Sequence, residues 1–242
     1  MKKQNFYSMV AILAFLVSLT SFRAAESASR PDEQTRNVGP FKKIGLAYPA
    51  DVVLRQGNTH SVKVEGDADQ LEQLITEVEN DRLSIRRKDR DKEINWNNGK
   101  KRVTIYITAP TIEGLAVSGS GKIKGEGTFK ASSLDLAVSG SGSIQLNARV
   151  DEVSSRISGS GSIELEGEGK QSTVSISGSG SLKGYNFKTS ASQVSISGSG
   201  TSEVNATTSL KTSISGSGRV FYEGTPSVDS RVSGSGSVKK RG

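Results

Sequence analysis

The sequence has no cysteine, one histidine (His60) and one tryptophan (Trp96) in 242 residues. Without thiols there can be no disulfide, no thiolate metal site, no cysteine nucleophile and no lipid on an N-terminal cysteine. A single histidine cannot build a zinc cluster, a histidine-based triad or an imidazole relay within one chain. It falls in the loop after the Gln56-Gly57-Asn58 turn. Aromatic residues make up 5% of the chain beside 27 glycines, a balance that argues against an ordinary helical or α/β core.

Long apolar runs are also scarce. Met9 to Leu19 is apolar but short for a bilayer span. Lys2 and Lys3 precede it, and the small residues Ala24, Ala25 and Ala28 follow it, so residues 1–25 read as a cleaved secretory signal peptide. Residues 26–36 follow as a flexible segment. The mature chain is expected to be soluble, with no stable membrane span, in the periplasm, on the outer surface or in the medium.

Charge of one sign is weak. Removing Lys2, Lys3 and Arg23 lowers the net charge from +7 to +4. Residues 26–114 balance fifteen cations against fifteen anions, and residues 115–242 carry fourteen against ten. Three of those fourteen are Lys239, Lys240 and Arg241, which read as a solvated basic tail over residues 239–242. The rest are scattered and not interleaved with aromatics, so nucleic acid is not an expected partner.

What is present is a repeat. The tetrad Ser-Gly-Ser-Gly begins at Ser118, Ser139, Ser158, Ser177, Ser197, Ser215 and Ser233, at spacings of 21, 19, 19, 20, 18 and 18 residues. Val or Ile precedes every copy. A period of this length marks an array in which each unit buries its apolar face against its neighbours. In the second unit Leu134, Leu136, Val138, Gly140, Gly142, Ile144 and Leu146 share one parity, while Asp135, Ser139, Ser141, Ser143 and Gln145 take the other. This is the period of β-structure. The tetrad then becomes a corner with both glycines facing inward and both serines outward. Length variation falls at a second, looser turn, as in Leu146 to Val153 or the longer Leu182 to Val194.

The pattern predicts an all-β fold, a parallel β-helix or solenoid of seven tetrad coils over residues 115–238, with coils about 4.8 Å apart. An antiparallel stack of hairpins alternates in the same way. The solenoid is preferred because it stacks identical corners in register. Residues 37–114 are expected to cap the stack. Short strands fall at Val52 to Leu54 and Val62 to Val64, and a short helix over Asp67 to Val78, with Leu71, Leu74, Ile75 and Val78 at helical spacing. Further strands start at Leu83 and Val103, on either side of a charged loop over residues 86–102.

Four segments, G-P-F-K-K-I at Gly39 to Ile44, D-V-V-L-R-Q-G-N at Asp51 to Asn58, V-K-V-E-G-D at Val62 to Asp67, and V-T-I-Y-I-T-A-P at Val103 to Pro110 leading into V-S-G-S-G, together resemble the head GIN domain family of auto-transporter adhesins. The resemblance spans roughly residues 37–238. It implies a β-helical fold similar to pectin-lyase-like proteins, export to a bacterial envelope, and a role in cell adhesion without catalytic residues.

Enzymes on β-helices need clustered carboxylates with a cation or a base. Glu164, Glu166 and Glu168 alternate along one strand, but Lys183 falls beside Glu164 on the next coil, which reads as a paired surface. Calcium-binding β-rolls need aspartate in the glycine turn, and the tetrad has none. No phosphate-loop lysine follows any tetrad. No cofactor is therefore expected. The candidate binding surface is the column Ser118, Ser139, Ser158, Ser177, Ser197, Ser215 and Ser233, a hydroxyl lattice for a glycan or a host or cell-surface protein, with Trp96 able to stack on a sugar ring. The same serines also suit any tight exposed corner, and Trp96 equally suits packing over the cap. The sequence is thus read as an exported, non-catalytic surface protein. Its alternatives are a carbohydrate-active β-helix enzyme and an envelope spacer.

Overall fold

A computed structural model describes residues 32–89 and 102–241. Sixteen strands form one continuous sheet wound into a β-solenoid, with a single short helix, α1 (Ala68–Glu72), among the described residues. The tetrad coils use β8 (Gly114–Gly119), β9 (Lys122–Gly140), β10 (Ser143–Gly159), β11 (Ser162–Gly178), β12 (Ser181–Gly198), β13 (Thr201–Gly216), β14 (Arg219–Glu223), β15 (Ser227–Ser233) and β16 (Ser237–Lys240). All pairings among them are parallel. That decides against stacked hairpins. Each long strand ends in a tetrad, turns its corner, and begins the next strand on the opposite face.

The looser second turn is not a break in pairing. Strands β9 to β13 run through it, and the variable spacing appears as register shifts between Gln145/Asn147, Glu164/Gly167, Gly184/Lys188 and Thr189/Ala191. Inward positions alternate along each strand. In β10, Ile144, Leu146, Ala148, Val150, Val153 and Ile157 are all buried.

The inward assignment of both tetrad glycines needs correction. Only the second faces the core, where a Cβ on Gly180 would lie 2.4 Å from Ile157 Cγ2. The first lies at positive φ and is directed along the stack: a Cβ on Gly178, at φ +109°, would meet the Gly159 carbonyl oxygen at 2.8 Å. The coil below, not the core, excludes a side chain there.

The N-terminal part joins the same stack by a crossover. Strands β2 (Lys43–Ala47) and β3 (Asp51–Gln56) form one coil, and β6 (Arg82–Arg87) and β7 (Thr104–Ala109) form another. The β2–β3 coil lies between the β6–β7 coil and the first tetrad coil, since β2 pairs with both β6 and β8 and β3 with both β7 and β9. The first coil in sequence is thus an interior layer. Beyond β6–β7 the order turns antiparallel. There β4 (Ser61–Gly66) pairs with β7, β1 (Asp32–Arg36) with β4, and β5 (Leu74–Glu79) with β6.

Three expectations differ here. The helix stops at Glu72, and Leu74 to Glu79 is a strand, because Thr76 and Val78 find ladder partners in Ile85 and Leu83. Gln70 closes the helix start by accepting from the Asp67 N–H at 3.4 Å. Asp32–Arg36, expected in a flexible segment, is an edge strand in register with Val62 to Gly66. At the other end, Lys239 and Lys240 belong to β16 and not to a loose tail.

Candidate functional site

The first serines of the tetrads stand directly over one another. The ladder aligns Ser118 with Ser139, Ser139 with Ser158, Ser158 with Ser177, Ser177 with Ser197, Ser197 with Ser215, and Ser215 with Ser233. All seven are exposed, as are Ser120, Ser141, Ser160, Ser179, Ser199, Ser217 and Ser235. The corner is held by its own backbone: the N–H of Ser141 donates to the Gly119 carbonyl at 2.9 Å, and Ser160, Ser179, Ser199 and Ser217 repeat the bond from coil to coil. Satisfied in this way, the backbone makes no demand on the hydroxyls. Among the described residues, no internal side-chain hydrogen bond occupies them.

The hydroxyl surface is wider than the predicted column. Ser175, Ser195 and Ser213 are exposed two residues before their tetrads and stack in register on the same face. The signal was the longer repeat S-I-S-G-S-G at those three coils, which the tetrad count left out. Toward the N-terminal end Arg156, Ala137, Ala116 and Gly45 take these positions in turn, and a shallow groove of about 480 Å³ opens. It is lined by Ser118, Ser139, Ser158 and Ser177, by Gly45, Ala47, Ala116 and Ala137, and by Arg82 and Arg156. Arg82 lies across Gly45, its Cδ 3.5 Å from where a glycine Cβ would stand. Arg156 reaches Asp135 at 3.6 Å. Hydroxyls, small apolar side chains and two cations thus meet on one open strip. Trp96 lies outside the described residues.

The opposite edge of the coils is charged and internally paired. Arg149 holds Glu168 at 2.6 Å and Lys170 holds Asp151 at 2.8 Å. Glu164 is in register with Lys183. Exposed ion pairs of this kind contribute little to stability. Side-chain bonding to Asp151 raises the Lys170 pKa, keeping it cationic. No group of three or more His, Asp or Glu residues is placed to hold a metal among the described residues. His60 donates from Nε2 to the Phe41 carbonyl at 2.9 Å, and its ring packs edge-on against Phe41 at 5.0 Å. That is a packing role.

Residues 40–226 match the family described as "Putative auto-transporter adhesin, head GIN domain". The chain belongs to this family. Solved structures similar to this head GIN domain protein include a "putative adhesin" from Bacteroides fragilis, with a TM-score of 0.81 at 22% identity, covering 88% of this chain and 98% of that one. A "putative lipid binding protein" from Parabacteroides distasonis has a TM-score of 0.72 at 23% identity and covers 89% and 98%. A "putative adhesin" from Parabacteroides merdae has a TM-score of 0.68 at 16% identity and covers 89% and 98%. At these identities the likeness shows the fold. No curated protein matches the sequence. Neither the family nor these structures are named as enzymes. No helix among the described residues is long and apolar enough to cross a membrane.

Proposed function

We propose that this protein is an exported, non-catalytic binding head of a bacterial envelope that engages a glycan or a cell-surface protein through its serine-edged face. The observation that carries the reading is the column of seven in-register exposed serines whose hydroxyls are not used by the fold. Repeating donors and acceptors at about 4.8 Å suit a ligand that is itself extended and repetitive. The groove beside the first four serines adds apolar contact and two guanidinium groups, which favour polar or acidic ligands. Against catalysis, the acidic residues along the other edge are held in ion pairs with Arg149 and Lys170.

The test is to screen the purified protein against arrayed glycans and extracellular-matrix proteins, with turnover followed on the same polysaccharides. Saturable binding that weakens when Ser139, Ser158 and Ser177 are replaced together by bulky residues supports the reading. New reducing ends or unsaturated products would point to a carbohydrate-active enzyme. Silence in both assays would leave a spacer.

A further inference from the structure

The two ends of the solenoid are finished differently. At the N-terminal end the antiparallel strands β1, β4 and β5 and the helix α1 lie beyond the last parallel coil, and Leu71 of α1 is buried. At the other end β15 and β16 are the outermost strands among the described residues. Each pairs on one side only, β15 with β13 and β16 with β14. Val228 and Val232 continue the inward columns of Leu210 and Ile214, yet they are 40% and 44% exposed while the residues beneath them are buried. Ser230 sits between them, accepting from Thr212 Oγ1 at 2.9 Å. An exposed strand edge with an open apolar side invites a further strand.

The sequence of β15 indicates which strand fits. Ser227-Val228-Asp229-Ser230-Arg231-Val232-Ser233 reads the same in residue class from either end, with Asp229 and Arg231 exchanged about Ser230. We infer that two copies of this chain join tail to tail through β15, paired antiparallel about a two-fold axis through Ser230. In that register Val228 meets the partner subunit's Val232, and Asp229 meets the partner subunit's Arg231. Both contacts occur twice. An axis normal to the sheet keeps the valines on the core side and both charge pairs on the solvent side. Each Asp229 then finds an opposite charge, whereas parallel stacking of identical strands would set Asp229 on Asp229.

The other face of the last coil works against the contact, since Lys239 and Lys240 of β16 face the same end. Arg241 is held by Glu223 at 3.5 Å and lies over the Tyr185 ring at 4.5 Å. The joint therefore rests on β15. This strand begins at Ser227, just past the residues 40–226 that match the family, so the device belongs to this chain's own last coil. Because the axis reverses strand direction, the two serine columns face opposite edges, and a dimer presents two binding faces pointing apart. That geometry suits bridging two surfaces.

Sedimentation equilibrium of the purified protein should give a reversible monomer–dimer system. Asp229→Arg and Arg231→Asp each replace two attractive pairs by two repulsive ones and should weaken the dimer by about tenfold or more. The double exchange Asp229→Arg/Arg231→Asp should restore the parent's affinity. So should an equimolar mixture of the two single variants, as a heterodimer. All four positions involved are exposed, so unchanged melting by circular dichroism separates lost pairing from lost folding. A parent that stays monomeric up to its solubility limit overturns the inference. So do single variants that dimerise like the parent, and so do open-ended oligomers, which would mean head-to-tail docking on the capped end.

Discussion

The coils before the first tetrad and those after it fill their interiors with different side chains. Among the described residues, the buried side chains before the first tetrad are apolar except for Gln70. The tetrad coils bury Val, Ile and Leu together with small hydroxylic residues: Ser155, Ser172, Thr189, Ser192, Ser202 and Thr212. Apolar area removed from water drives folding, so the N-terminal coils supply more stability per coil. Stacked coils touch only their neighbours, so a gradient should run from a firm capped end to a fraying open end.

The largest effects should therefore come from the capped end. Ile105 is fully buried in β7, between β3 and β4. Ile105→Ala should cost about 3–4 kcal/mol by denaturant unfolding. Val232→Ala at the open end should cost less than about 0.5 kcal/mol. Equal losses at the two sites would remove the gradient.

Next comes the corner itself. Gly178→Val sets a β-branched residue at φ +109°, with its Cβ 2.8 Å from the Gly159 carbonyl oxygen. The loss should reach about 3 kcal/mol, from backbone strain together with the clash. Gly234, at φ +112°, has the same problem against Gly216. Among the described residues no further coil is stacked on this one, so Gly234→Val should loosen the last coil and leave the main unfolding transition nearly in place. Hydrogen exchange of β15 against β11 separates the two outcomes.

Most of this architecture was legible because the tetrad coils repeat: seven Val or Ile residues before seven identical corners fix strand, parity and register together. The serine column was legible for the same reason. What stayed hidden arises where one position serves two neighbours. The parity of Gly178 puts it on the inward side, but its excluded Cβ would strike the backbone of the coil below at Gly159, and a single strand's alternation carries no information about the coils stacked against it. Leu71, Leu74, Ile75 and Val78 fit a helical stripe as well as a strand, and the choice of strand from Leu74 onward was made by β6, a partner later in the chain. The crossover that buries β2–β3 between later coils is likewise a tertiary choice, without a local signal at Tyr48 or Pro49.

The capped end should also answer to alkaline pH where the tetrad coils do not. Tyr48, buried at the β2–β3 corner, donates to the Gln70 carbonyl at 3.2 Å, and burial pushes its pKa up from 10.0 to about 12, with Arg87 acting in the opposite direction. A phenol that ionises less readily when folded stabilises fully below pH 10. That contribution fades as pH rises from 10 towards 12 and amounts to about 2 kcal/mol. Tyr48→Phe should be less stable than the parent at pH 8, through loss of the Gln70 bond, and should lose less stability between pH 10 and 12. Parallel pH profiles for the two proteins would show that Tyr48 is not the group responsible.

Inside the tetrad coils the hydroxylic core predicts a smaller effect of opposite sign. Ser155 Oγ and Ser202 Oγ are buried without a hydrogen-bond partner. Removing a buried hydroxyl that lacks a partner relieves its desolvation, so Ser202→Ala should stabilise by about 1 kcal/mol. Thr212 does have a partner, donating to Ser230 at 2.9 Å, and Thr212→Val should bring no such gain. Destabilisation by Ser202→Ala would mean that an internal water holds that hydroxyl.

The smallest expected effect bears on the binding face. Ser177 and Ser179 are exposed, the Ser179 N–H is satisfied by the Gly159 carbonyl at 2.9 Å, and neither hydroxyl has an internal partner. Ser177→Ala and Ser179→Ala should each shift unfolding by about 0.5 kcal/mol or less. The comparison with Gly178→Val, one residue away, is the sharp one: large loss at the glycine and near silence at both serines means that the corner's shape rests on backbone and glycine, leaving the hydroxyls free for a ligand. If Ser177→Ala approaches the loss seen for Gly178→Val, the column is structural, its hydroxyls are spent inside the fold, and the serine face cannot be the binding surface.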